Sequence, residues 1–161
     1  MPQIGLVAVA AETWAVESIP QRQEMALEIG VSRVLPPGRD SLRAIRKNTA
    51  PGIDLALECA SVPDALNMAL KSVRPRGRVV VASIQQHPVE VEFNRVAIKE
   101  IQIRGSFGFI NELDAALELI SQNPGDYQSL ITAVVSLEEA PAAFNELIRE
   151  RKGLKTVIQI N

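Results

Sequence analysis

DLALECASVPDALNMALKSVRPRGRVVVASI, residues 54 to 84, is the stretch whose reading decides the fold. Its first piece, DLALECA, and its last, RVVVASI, are short apolar runs of the kind that form buried parallel strands. Between them Leu66, Ala69, Leu70 and Val73 recur at i, i+3, i+4 and i+7, one apolar helix face. Ser61 and Asp64 stand three apart just ahead of that face, the spacing of a capping box. Gly77 reads as the stop that turns the helix into the next strand. Strand, helix and strand make a βαβ unit, whose two strands lie in one sheet with a right-handed crossover.

Upstream, residues 4 to 11 are small and apolar, and fit a helix stub and a strand equally. WAVE (14 to 17) reads as a short strand ending in an acid. Ser18, with Gln21 three residues on, reads as the cap of a helix carrying Met25, Ala26 and Ile29, closed by Gly30. Residues 33 to 35 read as a strand closed by Pro36-Pro37-Gly38. Asp40 reads as the cap of a small helix whose basic end at Lys47 suits the helix dipole. Downstream, Val89, Val91 and Phe93 alternate with Glu90, Glu92 and Asn94, the pattern of a strand with one wet face. A further strand is expected within residues 98 to 107. Asn111 reads as the cap of a helix with Leu113, Ala116, Leu117 and Ile120 on one face, and Asn123-Pro124-Gly125 as the break after it. Residues 130 to 135 read as extended. Ser136 and Glu139 repeat the capping-box spacing ahead of Ala140, Ala143, Phe144 and Leu147, with Pro141 expected to delay that helix by a turn. Residues 155 to 160 read as a final strand. Strands alternating with helices predict an α/β fold, a Rossmann-like parallel sheet with flanking helices, in one domain over residues 1 to 161.

The chain has 161 residues, 47% apolar and 22% charged, enough for one core of ordinary soluble composition. A net charge of −2 argues against a broad nucleic-acid surface. Arg74, Arg76 and Arg78 form only a short basic spot in one tight turn. The single cysteine excludes an intramolecular disulfide and suits a reducing compartment. No apolar run approaches the roughly 20 residues that span a bilayer, and the start lacks a basic leader region. These features point to a cytoplasmic protein with neither nucleic acid nor membrane as partner.

The sequence resembles the coenzyme-binding half of the zinc-type medium-chain alcohol and polyol dehydrogenases. The stretches that carry the resemblance are RQEMALEIGVSRVL (22 to 35), residues 54 to 83, KEIQIRGSF (99 to 107), ALELI (116 to 120), LIT (130 to 132), LEEAPAAF (137 to 144) and KTVIQI (155 to 160). They cover nearly the whole chain in the family's order. Threonine, sorbitol and butanediol dehydrogenases resemble it about equally. The resemblance implies an oxidoreductase that passes hydride between a zinc-held alcohol carbon and NAD. It also implies a first strand and a glycine-rich turn that cradles the pyrophosphate. Here only Gly5 matches the last glycine of that turn, and the span before residue 17 is short for a full crossover helix and strand. The expectation is therefore an N-terminally truncated relative, with weak or lost NAD binding and no activity alone.

Site residues are carried over position by position. Glu17 stands where an acid accepts hydrogen bonds from the adenosine ribose and disfavours a 2′-phosphate, and Arg22 where an arginine lies near the adenine. Glu17 as a solvated charge and Arg22 as a surface helix residue stay open as competing readings. Ala60 and Ser61, then Ala82 and Ser83, stand at strand ends facing the coenzyme. The family usually has glycine at 61 and 83, so a side chain at either is expected to crowd the ligand. Gly105, Ser106 and Phe107 resemble the segment whose backbone holds the nicotinamide amide, or simply a strand end entering a loop. No catalytic residue is assigned. No zinc is expected on this chain: Cys59 reads as a small buried residue and His87 as a solvated loop histidine. A homodimer is expected through a sheet edge near Val89 and Phe93, close to residues 101 to 104. The apolar tail from residue 130 is expected to need a cover, either this domain or a second copy. Competing readings are a non-catalytic nucleotide-binding or subunit-interaction module, and the coenzyme subunit of a split dehydrogenase.

Overall fold

The computed structural model describes residues 10–108, 112–122, 127–150 and 153–160, and Gly5, Asn111 and Asn123-Pro124-Gly125 lie outside them. The chain divides into two compact units, Met1–Pro36 with Phe109–Asn161, and Pro37–Gly108.

In the first unit, β1 (Trp14–Val16) pairs in parallel with β2 (Arg33–Leu35) across the helix α1 (Pro20–Glu28). Trp14 and Arg33 face each other in register, and the guanidinium lies 4.7 Å from the ring centroid, a cation–π contact. Helix α1 is not capped by Ser18. It starts later, at Pro20, where a proline's fixed φ and missing N–H suit the first turn. The Glu17 carboxylate takes the preceding N–H groups instead, at 2.7 Å from Ser18 and 2.9 Å from Ile19. The buried apolar side chains here are Ala26 and Val31.

The second unit holds the stretch read first. Helix α2 (Arg39–Asn48) has Gly38 at its cap, and Asp40 sits in its first turn, bonded to Arg43. Strand β3 (Ile53–Glu58), helix α3 (Pro63–Ser72) and strand β4 (Val73–Val81) form the expected parallel βαβ unit, and β5 (Gln102–Gly105) adds in parallel to give the order β3-β4-β5. The Ser61–Asp64 capping box does not form. Val62 is the cap and Pro63 opens the helix, so Ser61 falls in the turn before it. Gly77 is not the helix stop. The helix ends at Ser72 and Val73 already pairs with Ile53, while pairing resumes only at Leu55 and Arg78. The residues of β4 between these pairs are held by Arg76 N–H to the Lys99 carbonyl at 2.7 Å and by an Arg76–Glu100 ion pair. Ala56, Leu70, Val73, Val79 and Ile101 make the core, with Leu66 and Ala69 packed beside it as the helical spacing required.

Val89, Val91 and Phe93 do not form a strand. Val91 packs on the core, and the Asn67 amide donates to the Glu90 carbonyl at 3.0 Å, taking an acceptor that a ladder would use. Phe93 then opens helix α4 (Phe93–Ile98). The alternation was real, but its apolar residues serve a turn of chain lying on the core and the helix that follows.

Returning to the first unit, α5 (Glu112–Gln122), β6 (Ile131–Ser136), α6 (Ala140–Glu150) and β7 (Lys155–Gln159) complete the chain, with β6 and β7 parallel. Pro141 delays nothing, because an N–H at the second position of α6 would have no acceptor within the helix, so proline there loses no helix hydrogen bond. Much apolar surface here stays uncovered, with Val134, Phe144, Ile148 and Ile160 all exposed. The Ser136–Glu139 capping box forms as read. Ser136 N–H donates to Glu139 at 2.9 Å and Glu139 N–H to the Ser136 hydroxyl at 3.3 Å. The bonds from the Ser136 backbone and then its side chain hold the Glu139 carboxyl below its ordinary value of 4.5. Its folded value is thus the lower one, so the cap's contribution is full above pH 4.5 and is lost as pH falls through the folded value. A melting series carried downward through that window should show Glu139→Gln, which keeps an acceptor, losing less stability than the unsubstituted chain. Equal losses would remove the ionised cap from the acid response.

Candidate functional site

Three parallel strands end side by side, and short bonds lace their ends. The Glu58 carbonyl, at the end of β3, accepts the Ala82 N–H at 2.9 Å, and the Val81 carbonyl, at the end of β4, accepts the Ser106 N–H at 2.9 Å. The expected residues Ala60, Ser61, Ala82, Ser83, Ser106 and Phe107 therefore gather at one edge of one sheet. In open α/β sheets the carboxyl edge is where ligands bind, because the loops there are free to be shaped while the sheet stays rigid. Phe107 is 85% exposed, and no atom lies within 4 Å of where a Cβ at Gly105 would stand.

Beneath this edge lies a residue that the sequence reading passed over. Glu58 is 3% exposed, and its side chain is surrounded by donors. Its Oε1 accepts the N–H groups of Ala60 at 2.7 Å and Ser61 at 3.1 Å. Its Oε2 accepts the Ser83 hydroxyl and, at 3.4 Å, the Gln85 amide, which also reaches the Ser83 oxygen at 3.2 Å. The available signal was an acid closing an apolar strand, where an unpaired charge would be costly to bury.

Ser61 and Ser83 differ. Ser61 has φ +58, the left-handed region in which glycine is at ease, so the backbone keeps a glycine-like bend under a serine. The Ser83 hydroxyl turns onto Glu58 and is occupied there.

Glu17 and Arg22 lie in the other unit. Glu17 closes β1, its N–H donating to the Leu35 carbonyl at 3.0 Å. Its contacts from Ser18 and Ile19 all fall on Oε1, and among the described residues Oε2 has no partner. Arg22 donates from Nε to the Gly153 carbonyl at 3.1 Å, so it is tied to the chain ahead of β7 and not loose on the surface.

Cys59 is exposed, not the small buried residue expected, because it lies past the end of β3. Desolvation around its sulfur, with the Glu58 carboxylate beside it, still holds the thiol above its ordinary range, which disfavours the thiolate. His87 is exposed in its loop. Among the described residues no three His, Cys, Asp or Glu side chains are grouped as zinc ligands would be. No described helix is long and apolar enough to cross a membrane.

Parallel strands with interleaved helices, and loops gathered at the strand carboxyl ends, define an α/β protein of Rossmann-like type. Comparison with known proteins narrows this: residues 4–122 match the family described as zinc-binding dehydrogenase, and the chain belongs to that family. The chain is 31% identical to (R,R)-butanediol dehydrogenase of Bacillus subtilis (strain 168) over 98% of its length and 48% of that protein. It is 30% identical to sorbitol dehydrogenase of the same organism over its full length and 49% of that protein. The crystal structure of 2R,3R-butanediol dehydrogenase from Bacillus subtilis superposes with a TM-score of 0.89 at 29% identity, covering 98% of this chain and 46% of that one. The chain thus spans about half the length of the curated relatives it matches, and that half is the coenzyme-binding one.

Proposed function

We propose that this chain is the coenzyme-binding half of an NAD-dependent alcohol or polyol dehydrogenase, inactive alone and binding NAD only weakly. The observation that carries the reading is the exposed carboxyl edge of β3, β4 and β5, with the loops at 60–61, 82–83 and 105–107 gathered on it. Ser106 and Phe107 follow the strand end assigned to the nicotinamide amide, and Ala60, Ser61, Ala82 and Ser83 line the adjoining loops. In the other unit, Glu17, whose Oε2 has no partner among the described residues, is the ribose acceptor, and Arg22 the neighbour of the adenine. NAD, when bound, supplies the hydride-accepting ring, and these residues bind and orient it. Any zinc would be held by residues outside this set, in keeping with the absence of a grouped His, Cys, Asp and Glu cluster among the described residues.

Two measurements test this. NAD reduction with a panel of diols and polyols, zinc supplied, should stay at background for this chain alone, and turnover would overturn the division of labour. Glu17→Ala should relax the preference for NAD over NADP by about tenfold, the worth of one lost charge-assisted bond and the return of a tolerated phosphate. An unchanged ratio would remove Glu17 from the site. Should two copies pair through a sheet edge, as the same reading expects, β5 is one edge strand of the order β3-β4-β5, and its four residues are all exposed.

A further inference from the structure

We propose that Glu58 is a positioning residue for coenzyme binding: its buried carboxylate clamps the loop after β3 to the loop after β4. The role rests on the coenzyme reading above and adds a residue that makes no ligand contact itself.

The geometry is specific. Four donors reach the carboxylate: two backbone N–H groups from Ala60 and Ser61 on one oxygen, and the Ser83 hydroxyl and Gln85 amide on the other. One carboxylate thereby joins both loops named in the coenzyme site. At 3% exposure it is out of reach of a ligand, so it acts only through what it holds. The loop it holds contains Ser61, whose left-handed backbone is unfavourable for serine and needs an outside constraint to persist. A carboxylate suits this task because it accepts on both oxygens, whereas an amide would turn an NH₂ group toward at least one donor. Without an acceptor, the Ala60 and Ser61 N–H groups would be left unpaired or would turn to water, and the turn would lose its single shape.

The test compares Glu58→Leu, which has no acceptor, with Glu58→Gln, which keeps one oxygen for the Ala60–Ser61 side. Two readouts are taken on the full chain: calorimetric NAD affinity, and residue-resolved amide exchange. Glu58→Leu should speed exchange at Ala60 and Ser61 while leaving Val79 protected, and should weaken NAD binding by about tenfold or more. Glu58→Gln should restore part of both. A merely structural role would move Val79 along with the loops and would not be rescued in this graded way. Equal NAD affinity in all three proteins would overturn the proposal, as would unchanged exchange at Ala60 and Ser61. If the unsubstituted chain bound no NAD, the coenzyme reading itself would fall and this role with it; the two failures are told apart because the first arises only when the unsubstituted chain binds.

Discussion

Gly52→Ala is expected to cost the Pro37–Gly108 unit about 3 kcal/mol or more, enough to unfold a marginal domain. Gly52 has φ +136, a region that residues with a Cβ avoid. A Cβ added there would stand 2.6 Å from the Arg74 nitrogen, 2.7 Å from the Ser72 carbonyl oxygen and 2.8 Å from the Val73 carbonyl carbon. All three are backbone atoms at the junction of α3 and β4, next to the fully buried Val73, so none can swing aside as a side chain would. Gly38 is the internal control. Its φ is +135, but no atom lies within 4 Å of its would-be Cβ. Gly38→Ala should therefore cost only the backbone strain, about 1 kcal/mol. Denaturant midpoints followed by circular dichroism compare the two. Similar losses at both positions would show that conformation alone, and not the close approach of α3 and β4, sets the requirement at Gly52.

Leu70→Ala is the second large loss, about 3 kcal/mol from removed apolar contact and the cavity left behind. Leu70 is 2% exposed and sits among Ala56, Val73, Val79 and Ile101. Val73 and Val79 are themselves wholly buried, so the surrounding wall has little freedom to collapse into the gap. Ile98→Ala, at a side chain 83% exposed, should change stability by less than about 0.5 kcal/mol. The same denaturation series reads both. A small effect at Leu70 would mean that the helix face read from its spacing is not what holds the βαβ unit together.

That helix face shows what the sequence could disclose. Leu66, Ala69, Leu70 and Val73 announce one buried stripe whether or not the last of them is still helical, because burial follows spacing. Boundaries were less legible. Pro63 and Pro20 moved two helix starts past the serines that matched a cap, because a proline at the first helical position outweighs a hydroxyl two residues earlier. Where no proline intervenes at the first position, at Ser136 and Glu139, the box formed as read. The strand expected at Val89 to Phe93 failed for a tertiary reason: its apolar residues answer to the core under Val91 and to helix α4, and alternation over five residues cannot tell such a segment from a strand. At the candidate site, the strand ends were legible because the apolar runs fix where strands stop. Glu58 was not, since its meaning lies in donors brought from Ser83 and Gln85, about 25 residues away and reached only through the parallel pairing of β3 with β4.

NAD binding at the carboxyl edge of this sheet is read by titrating NAD into the isotope-labelled full chain and mapping the backbone amide shifts. Shifts should concentrate at Ala60, Ser61, Ala82, Ser83, Ser106 and Phe107, while Arg74, Arg76 and Lys99, around the register shift of β4, stay still. Saturating NAD that moves none of the strand-end amides, or moves only residues elsewhere, would contradict binding at that edge.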